Sequence, residues 1–470
     1  MPMTRAVPAL AVAARRGAAV DAGIRPVVAP ASPGEEPLLA GVFRLEGGKR
    51  RGAIGPAEGQ TVAALVAEAV DAGVPVVGVL ATSGADVSEG IASLHAWGGI
   101  AAALVSASGV VPIVVCVTGP CVSGPALLLG LADVVIMTAD AFAYVSGPGA
   151  VERFTGVATS HDALGGTAVH ALRSGVASLV ASDEEDALQL AAEVLALLPP
   201  NNAEAPPVAA NDDPVDRPCR AAASTVPASA TASYDVREVV EDLADDAWFL
   251  ELKPYHAQNV VTALGRIGGH AVGFVANQPS RLAGTLDIEA SQKAARFVQW
   301  CDAFGIALVS LVDTPGFQPG KDIEWRGMIR HGAQLVHAYA AASVPRLCVI
   351  LRKAYGGAYI VMDSKTLGND LCVAWPDAEI AVMGAPGAVQ ILHGRRLDAI
   401  GDAGAREAER SGLEADYAAR YCTPEIAAAR GFVDDVIDPL ATRHVLAAAL
   451  EALAHKRDRS PRRRHSNMPL

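Results

Sequence analysis

The residues best placed to do chemistry are Ala354-Tyr355-Gly356-Gly357-Ala358-Tyr359, which follow an apolar run and open a stretch of small residues. Consecutive glycines let the backbone turn sharply and let a ligand approach bare N–H groups. A helix that starts there adds positive partial charge. Together these features describe an oxyanion hole, in which one donor contributes about 2.7–4 kcal/mol to the transition state. The same glycines would also serve a tight turn that packs a helix closely on a sheet. From the glycines alone the two readings stand level.

Ser123-Gly124 sits at the corresponding place in the first half, with serine in place of the first glycine and Pro125 removing an N–H. Taken alone it reads as a packing turn. Its match to residues 356–357 raises the functional reading.

Side-chain chemistry finds little support. The chain contains no G-x-S-x-G, no G-x-x-x-x-G-K-[ST] and no H-E-x-x-H. Its histidines, among them His95, His161, His170, His256, His331, His337 and His393, lack ligand spacing, so no metal site is expected. Asp313 and Asp363 lie near the turns and receive no catalytic role. Two glycine turns without a nucleophile, metal or evident base suggest enolate chemistry, in which backbone donors meet the substrate's charge and a cofactor acts as base.

The elements that must hold these turns recur in order. Val74–Leu80 reads as a buried strand ending at Ser83-Gly84, followed by a helical stretch over 88–107. A strand over Val111–Val117 leads to Ser123-Gly124, and Val134–Met137 is a further strand. In the second half, Ile306–Val312 ends at Thr314-Pro315-Gly316, and a helical stretch covers 322–342. Arg346–Leu351 leads to Gly356-Gly357, and Ile380–Met383 follows. Gly84 to Gly124 is forty residues, and so is Gly316 to Gly356. Alternation of strand and helix implies parallel βαβ units and an α/β fold. The shared spacing implies an internal duplication.

A chain of 470 residues is too long for one ordinary core. The expected division is an irregular segment 1–36, a first domain 37–198, a linker 199–233, a second domain 234–455 and a basic tail 456–470. Net charge of −13 argues against nucleic acid as a partner. Seven scattered cysteines show no zinc or disulfide pattern, which fits a reducing cytosol. No apolar run reaches membrane-spanning length, and the N-terminal Ala-Leu-Ala-Val-Ala-Ala is too short for a signal peptide. A cytoplasmic location is expected.

Longer stretches carry a resemblance. They are VGFVANQPSRLAGTLDIEASQKAARFVQWCDAFGIALVSLVDTPGFQPG, IRHGAQLVHAYAAASVPRLCVILRKAYGGAYIVMDSKTLG and AWPDAEIAVMGAPGAVQIL. With the linker and the following YDVREVVEDLADDAWFLELKPYHAQNVVTALGR, they resemble the carboxyltransferase β subunits of propionyl-CoA, acetyl-CoA and related acyl-CoA carboxylases. The resemblance is dense from about 198 to 397. It implies two crotonase-like ββα superhelical domains. It also implies carboxyl transfer from carboxybiotin to the α-carbon of an acyl-CoA, with the biotin anion taking the α-proton.

By the same resemblance, Gly357 and Ala358 hold the biotin carbonyl and Gly356 shapes the turn. Ser123 and Gly124 align with the Gly-Gly that stabilises the thioester enolate. Gly84, Gly316, Tyr359 and Ile360 border the substrate, and the segment 312–345 contributes to the acyl-CoA region. Ile360 aligns with a side chain that helps set acyl length; propionyl-type members carry Asp there, so Ile implies a different or broader range. The family's S-G-G-A-R reads Thr82-Ser83-Gly84-Ala85-Asp86 here, without the arginine. The region before residue 60 is shortened where hairpins that contact CoA are expected.

No biotinyl-lysine motif is present, since Ala381-Val382-Met383-Gly384 lacks the lysine. Biotin is therefore expected on a partner, a biotin carboxylase or carboxyl-carrier (α) subunit. The assembly implied is a homo- or hetero-hexamer, a trimer of dimers with each site shared between two subunits. Two other readings stay open: a structural subunit with a degenerate acyl-CoA half, and a decarboxylase that runs the transfer in reverse.

Overall fold

The computed structural model describes residues 19–28, 36–47, 51–456, 466–467 and 469. Two compact units emerge. The first holds the chain up to residue 207 together with 252–256 and 303–305; the second holds the remainder.

In the first unit, the strand Asp21–Val28 pairs antiparallel with Leu38–Leu45, which runs parallel to Val76–Thr82. Next in order comes Ile113–Val122, then Val134–Thr138 and Leu179–Ala181. The central strands read as unbroken apolar runs because helices cover both faces of a parallel sheet. The irregular segment expected over 1–36 is corrected by the strand Asp21–Val28. Its register shifts between Pro26 and Val28, and it is an edge strand, the place a sheet tolerates proline. The remaining residues of that segment, 1–18 and 29–35, lie outside the described ones.

The helix Pro56–Ala72 begins with proline in its first turn. Glu58 Oε2 accepts from the N–H of Gly55 at 3.0 Å, and the helix stops at Gly73, which has φ +66°. It packs on the helix Ile91–Ala107 through Gly59, where an added Cβ would stand 2.6 Å from Ala96 O. Any larger residue at 59 would force the two helices apart.

The second unit repeats the plan. Val260–Ile267 and His270–Asn277 form a hairpin, turning at Gly268 and Gly269, both with positive φ as a two-residue hairpin turn requires. The parallel strands Ala307–Thr314 and Arg346–Tyr355 follow. Leu371–Ala374 and Glu379–Ala381 both pair with Arg346–Tyr355, one beyond the other. In the first unit Val134–Thr138 and Phe142–Tyr144 share Ile113–Val122 in the same way. Asp245 accepts from both N–H groups of the Gly268-Gly269 turn and pairs with the fully buried Arg443 at 2.6 Å.

The segment 199–233, expected as a surface linker, is more structured than its composition suggests. From Val208 onward it belongs to the second unit. It contains the helix Arg220–Thr225, and Cys219 and Ala222 are buried in that unit's core. Small residues such as these read as linker yet pack well. The helical stretch 322–342 is two helices, Lys321–Trp325 and Met328–Ala341, separated at Gly327 with φ +94°. Most of the basic tail, 457–465, 468 and 470, lies outside the described residues.

Candidate functional site

Each unit places its glycine turn at the C-terminal end of a long central strand, and the ladders align the two turns residue by residue. Thr82 faces Cys121 after a register shift, and Thr314 faces Ala354 after the same shift. Cys121 therefore matches Ala354. It follows that Ser123 matches Gly356, Gly124 matches Gly357 and Pro125 matches Ala358. Gly84 and Gly316 match too, each two residues beyond the end of the preceding strand.

In the second unit, Gly356 has φ +61° and an added Cβ there would meet Val382 O at 3.1 Å. The short helix Gly356–Val361 begins at this residue, with no side-chain cap on its first turn. The first amides of a helix lack intrahelical acceptors. Gly357 is exposed and Ala358 is buried. An added Cβ at Gly357 would touch only the Phe317 ring, at 3.5 Å.

A cavity of about 470 Å³ opens against Gly356 and Gly357. Its walls are mostly apolar: Ile360, Ile380, Val382, Tyr417, Tyr421 and Phe432, with Arg430 as the one charge. Tyr417 and Tyr421, one helical turn apart, have ring centroids 5.0 Å apart. Apolar walls beside the first turn of a helix suit a ligand with an apolar body and one polar oxygen.

Two expected site residues sit differently from one another. Ile360 is 39% exposed and faces the cavity. Tyr359 borders the cavity but is only 7% exposed, and burial followed by the thiols of Cys372 and Cys348 pushes its phenol up. Gly316 has φ +145° with nothing within 4 Å of an added Cβ.

Beneath the turn lies a buried ionic group. Asp313 pairs with Arg352 at 2.9 Å and with Lys353 at 3.6 Å. Arg352 donates to the carbonyls of Ser229 and Ala232, and Lys353 to that of Ala230. Desolvation, opposed by Asp313, lowers the Lys353 ammonium from its ordinary value. This group fixes the end of the strand that delivers the turn. Tyr355 is held by a hydrogen bond from its hydroxyl to Glu379.

In the first unit, Ser123 has φ +67° and ψ −150°. Its N–H donates to Tyr144 O at 2.9 Å, and Ala126 N–H returns to Ser123 O at 3.0 Å. An added Cβ at Gly124 would fall 2.7 Å from Trp97 Cε2. Gly84, with φ +102°, is buried below, and a Cβ there would come 3.2 Å from Ser123 Cβ. At the position of the missing arginine, Asp86 turns inward and accepts from Ser88 N and Oγ at 3.0 and 2.6 Å.

The sequence pattern pointed to the turns but missed Trp97, Phe317, Tyr417, Tyr421 and Phe432. Tyr417 and Tyr421, two aromatics four apart on an otherwise charged helix, were the available signal.

The two α/β units thus repeat one plan, each with a turn at the end of its long central strand. The chain belongs to the carboxyl transferase domain family, which matches residues 40–468. It is 43% identical over 429 residues to the propionyl-CoA carboxylase beta chain of Saccharopolyspora erythraea, covering 89% of this chain and 79% of that one. It is 43% identical over 418 residues to the methylmalonyl-CoA carboxyltransferase 12S subunit of Propionibacterium freudenreichii subsp. shermanii, with the same coverage. Among solved structures, the transcarboxylase 12S hexamer with methylmalonyl-CoA and methylmalonic acid bound superimposes with a TM-score of 0.89. That match is at 39% identity and covers 96% of this chain and 84% of that one. The fold expectation of an α/β architecture in two related crotonase-like units is met. Among the described residues, no helix is long and apolar enough to cross a membrane, and no group of three or more potential ligands could hold a metal ion.

Proposed function

We propose that this chain is the carboxyltransferase subunit of a biotin-dependent acyl-CoA carboxylase. It moves a carboxyl group from carboxybiotin, carried by a partner α subunit, to the α-carbon of a short acyl-CoA. The observation that carries this reading is the pair of matched turns, one of which opens on an apolar cavity of about 470 Å³.

Carboxybiotin supplies the carboxyl group and, once that has left, a ureido nitrogen that takes the α-proton. The chain's own residues orient and polarise. The amides of Gly357 and Ala358 donate to the ureido oxygen, with Gly356 permitting the bend. Gly124 donates to the thioester oxygen as it gains enolate charge. Gly84 and Gly316 leave room at the neighbouring strand ends, and Ile360 limits the acyl group. A hexamer, as in the transcarboxylase 12S structure, and a cytoplasmic location accompany this reading.

The test combines purified protein, a carboxybiotin donor and acyl-CoAs of two to five carbons. Transfer to at least one is expected; its absence at every length counts against the reading. A second reading, a non-catalytic subunit, is motivated by Pro125 and Asp86. Copurification with an active paralogue whose presence alone accounts for turnover would support it.

A further inference from the structure

The first-unit turn is short of main-chain donors. Ser123 N–H is already spent on Tyr144 O, at 2.9 Å. Pro125 has no N–H to give. Ala126 N–H is spent on Ser123 O, at 3.0 Å. Only the amide of Gly124 is left to meet a charged oxygen, whereas holes of this kind normally combine more than one donor. The indole of Trp97 does not make up the shortfall, because its Nε1 is buried against Gly124.

One further donor stands at the turn, the hydroxyl of Ser123. Ser123 is exposed, and among the described residues its hydroxyl makes no hydrogen bond. Its backbone, at φ +67° and ψ −150°, is in a region that essentially belongs to glycine. The matched residue in the second unit is Gly356, which holds φ +61° without strain. A serine is thus kept where glycine would be more stable. Its Cβ lies over Gly84, at 3.2 Å from the point where a Cβ of residue 84 would stand. The side chain therefore emerges between the two strand ends that border the substrate.

We propose that the Ser123 hydroxyl is a catalytic hydrogen-bond donor to the thioester oxygen, completing the enolate hole together with the Gly124 amide. The hydroxyl keeps its proton; it stabilises charge and forms no covalent bond. The inference rests on the acyl-CoA carboxyltransferase reading and adds to it a side-chain donor that replaces an amide.

The experiment compares wild type, Ser123→Ala and Ser123→Gly in the assembled enzyme with its carrier partner. Three quantities are read: kcat and KM for the best acyl-CoA, melting temperature, and affinity for the nitronate of nitroethyl-CoA, whose anionic oxygens stand in for the enolate. Both variants are expected to lose about 100-fold in kcat with KM within about twofold. Both should lose nitronate affinity by a similar factor while keeping affinity for the thioester. Ser123→Gly should nevertheless melt higher than wild type, because it relieves the strained φ. A serine without a catalytic role predicts the same gain in stability for Ser123→Gly but activity at least that of wild type. Wild-type kcat in Ser123→Gly, or unchanged nitronate binding in Ser123→Ala, overturns the proposal while leaving the carboxyltransferase reading intact. A wild-type protein that neither transfers nor binds the nitronate overturns both.

Discussion

Tyr144 and Tyr355 stand at unmatched positions of the two units, yet their rings pack against matched glycines. A Cβ at Gly147 would come 3.3 Å from Tyr144 Cε2, and a Cβ at Gly384 would come 3.3 Å from Tyr355 Cε2. Tyr144 pairs with Val122 across its ladder, and Tyr355 pairs with Ala381. Each ladder thus carries one tyrosine and one smaller residue, with the tyrosine on opposite strands. The hydroxyls have diverged further, to His161 Nδ1 in one unit and to Glu379 in the other. The space beside each turn is conserved between the units, and the side chain that fills it has changed strand.

The two glycines of the second turn should respond differently to alanine. Gly357→Ala meets only an ordinary contact with Phe317, so melting temperature should stay within about 2 °C of wild type. Carboxyl transfer should fall by about 100-fold or more, because the methyl group occupies the ligand's approach to the amide. Gly356→Ala forces a side chain into φ +61° near Val382 O and should cost about 1–3 kcal/mol of stability. Thermal unfolding together with a transfer assay separates the two.

Gly124→Ala drives a methyl into the Trp97 ring and should destabilise by about 1–3 kcal/mol. In a Trp97→Leu background the same change should cost at least about 1 kcal/mol less, since the obstructing ring is gone. Urea unfolding of the four proteins gives the coupling; strict additivity would show that the contact is absent.

Asp363 is buried with Arg346 at 2.7 Å, and Asp370 and Lys456 also act on it. Burial, the largest cause, pushes its carboxyl up to about 7, against the lowering pull of Arg346. The folded state then holds a proton that the unfolded chain releases near pH 4. Stability contributed by this group is therefore full below about pH 4 and declines as pH rises towards 7, by up to about 1.4 kcal/mol per pH unit. Asp363→Asn should flatten that part of the profile. Unfolding free energies at pH 5, 6, 7 and 8 decide it, and an identical slope in the variant would refute the assignment.

Asp313→Asn leaves Arg352 and Lys353 buried without their counter-charge and should cost about 3–5 kcal/mol. The same cations hold the carbonyls of Ser229, Ala230 and Ala232. Limited proteolysis between residues 227 and 233 should accordingly speed up in the variant, before global unfolding is seen.

Ile360→Asp should barely change stability, because the side chain is 39% exposed, yet should alter the ratio of kcat/KM between short and longer acyl-CoAs. Competition between two acyl-CoAs in one reaction reads this ratio directly.

The repeat was legible because the strands around it are covered on both faces and so read as apolar runs, although the ladders match Gly356 with Ser123, one residue before the Gly124 that the forty-residue spacing selects. Val76–Thr82 and Ala307–Thr314 stood out for that reason. The strand Asp21–Val28 did not, because Gly23, Arg25 and Pro26 break the pattern and only its position at the sheet edge makes them tolerable. The segment around Cys219 and Ala222 was misread as linker because burial of small residues leaves no periodic signature. The turns themselves could be found from glycine spacing, whereas the cavity wall could not. Tyr417, Tyr421 and Phe432 reach Gly357 from sixty to seventy-five residues further along the chain, a meeting that only the folded second unit brings about.

Proline at 125 makes the two halves unequal in their tolerance of genetic change. An amide donor is common to every amino acid but proline, so a replacement at a backbone hole keeps the donor and acts instead through the bulk and the φ of the new side chain. Where an imino acid has removed one such donor, the proposed replacement by the Ser123 hydroxyl makes that donor depend on the identity of a single side chain. On the proposed reading, the first turn depends on the side chain of residue 123 as well as on its bend, whereas the second depends on its bend and on open space alone.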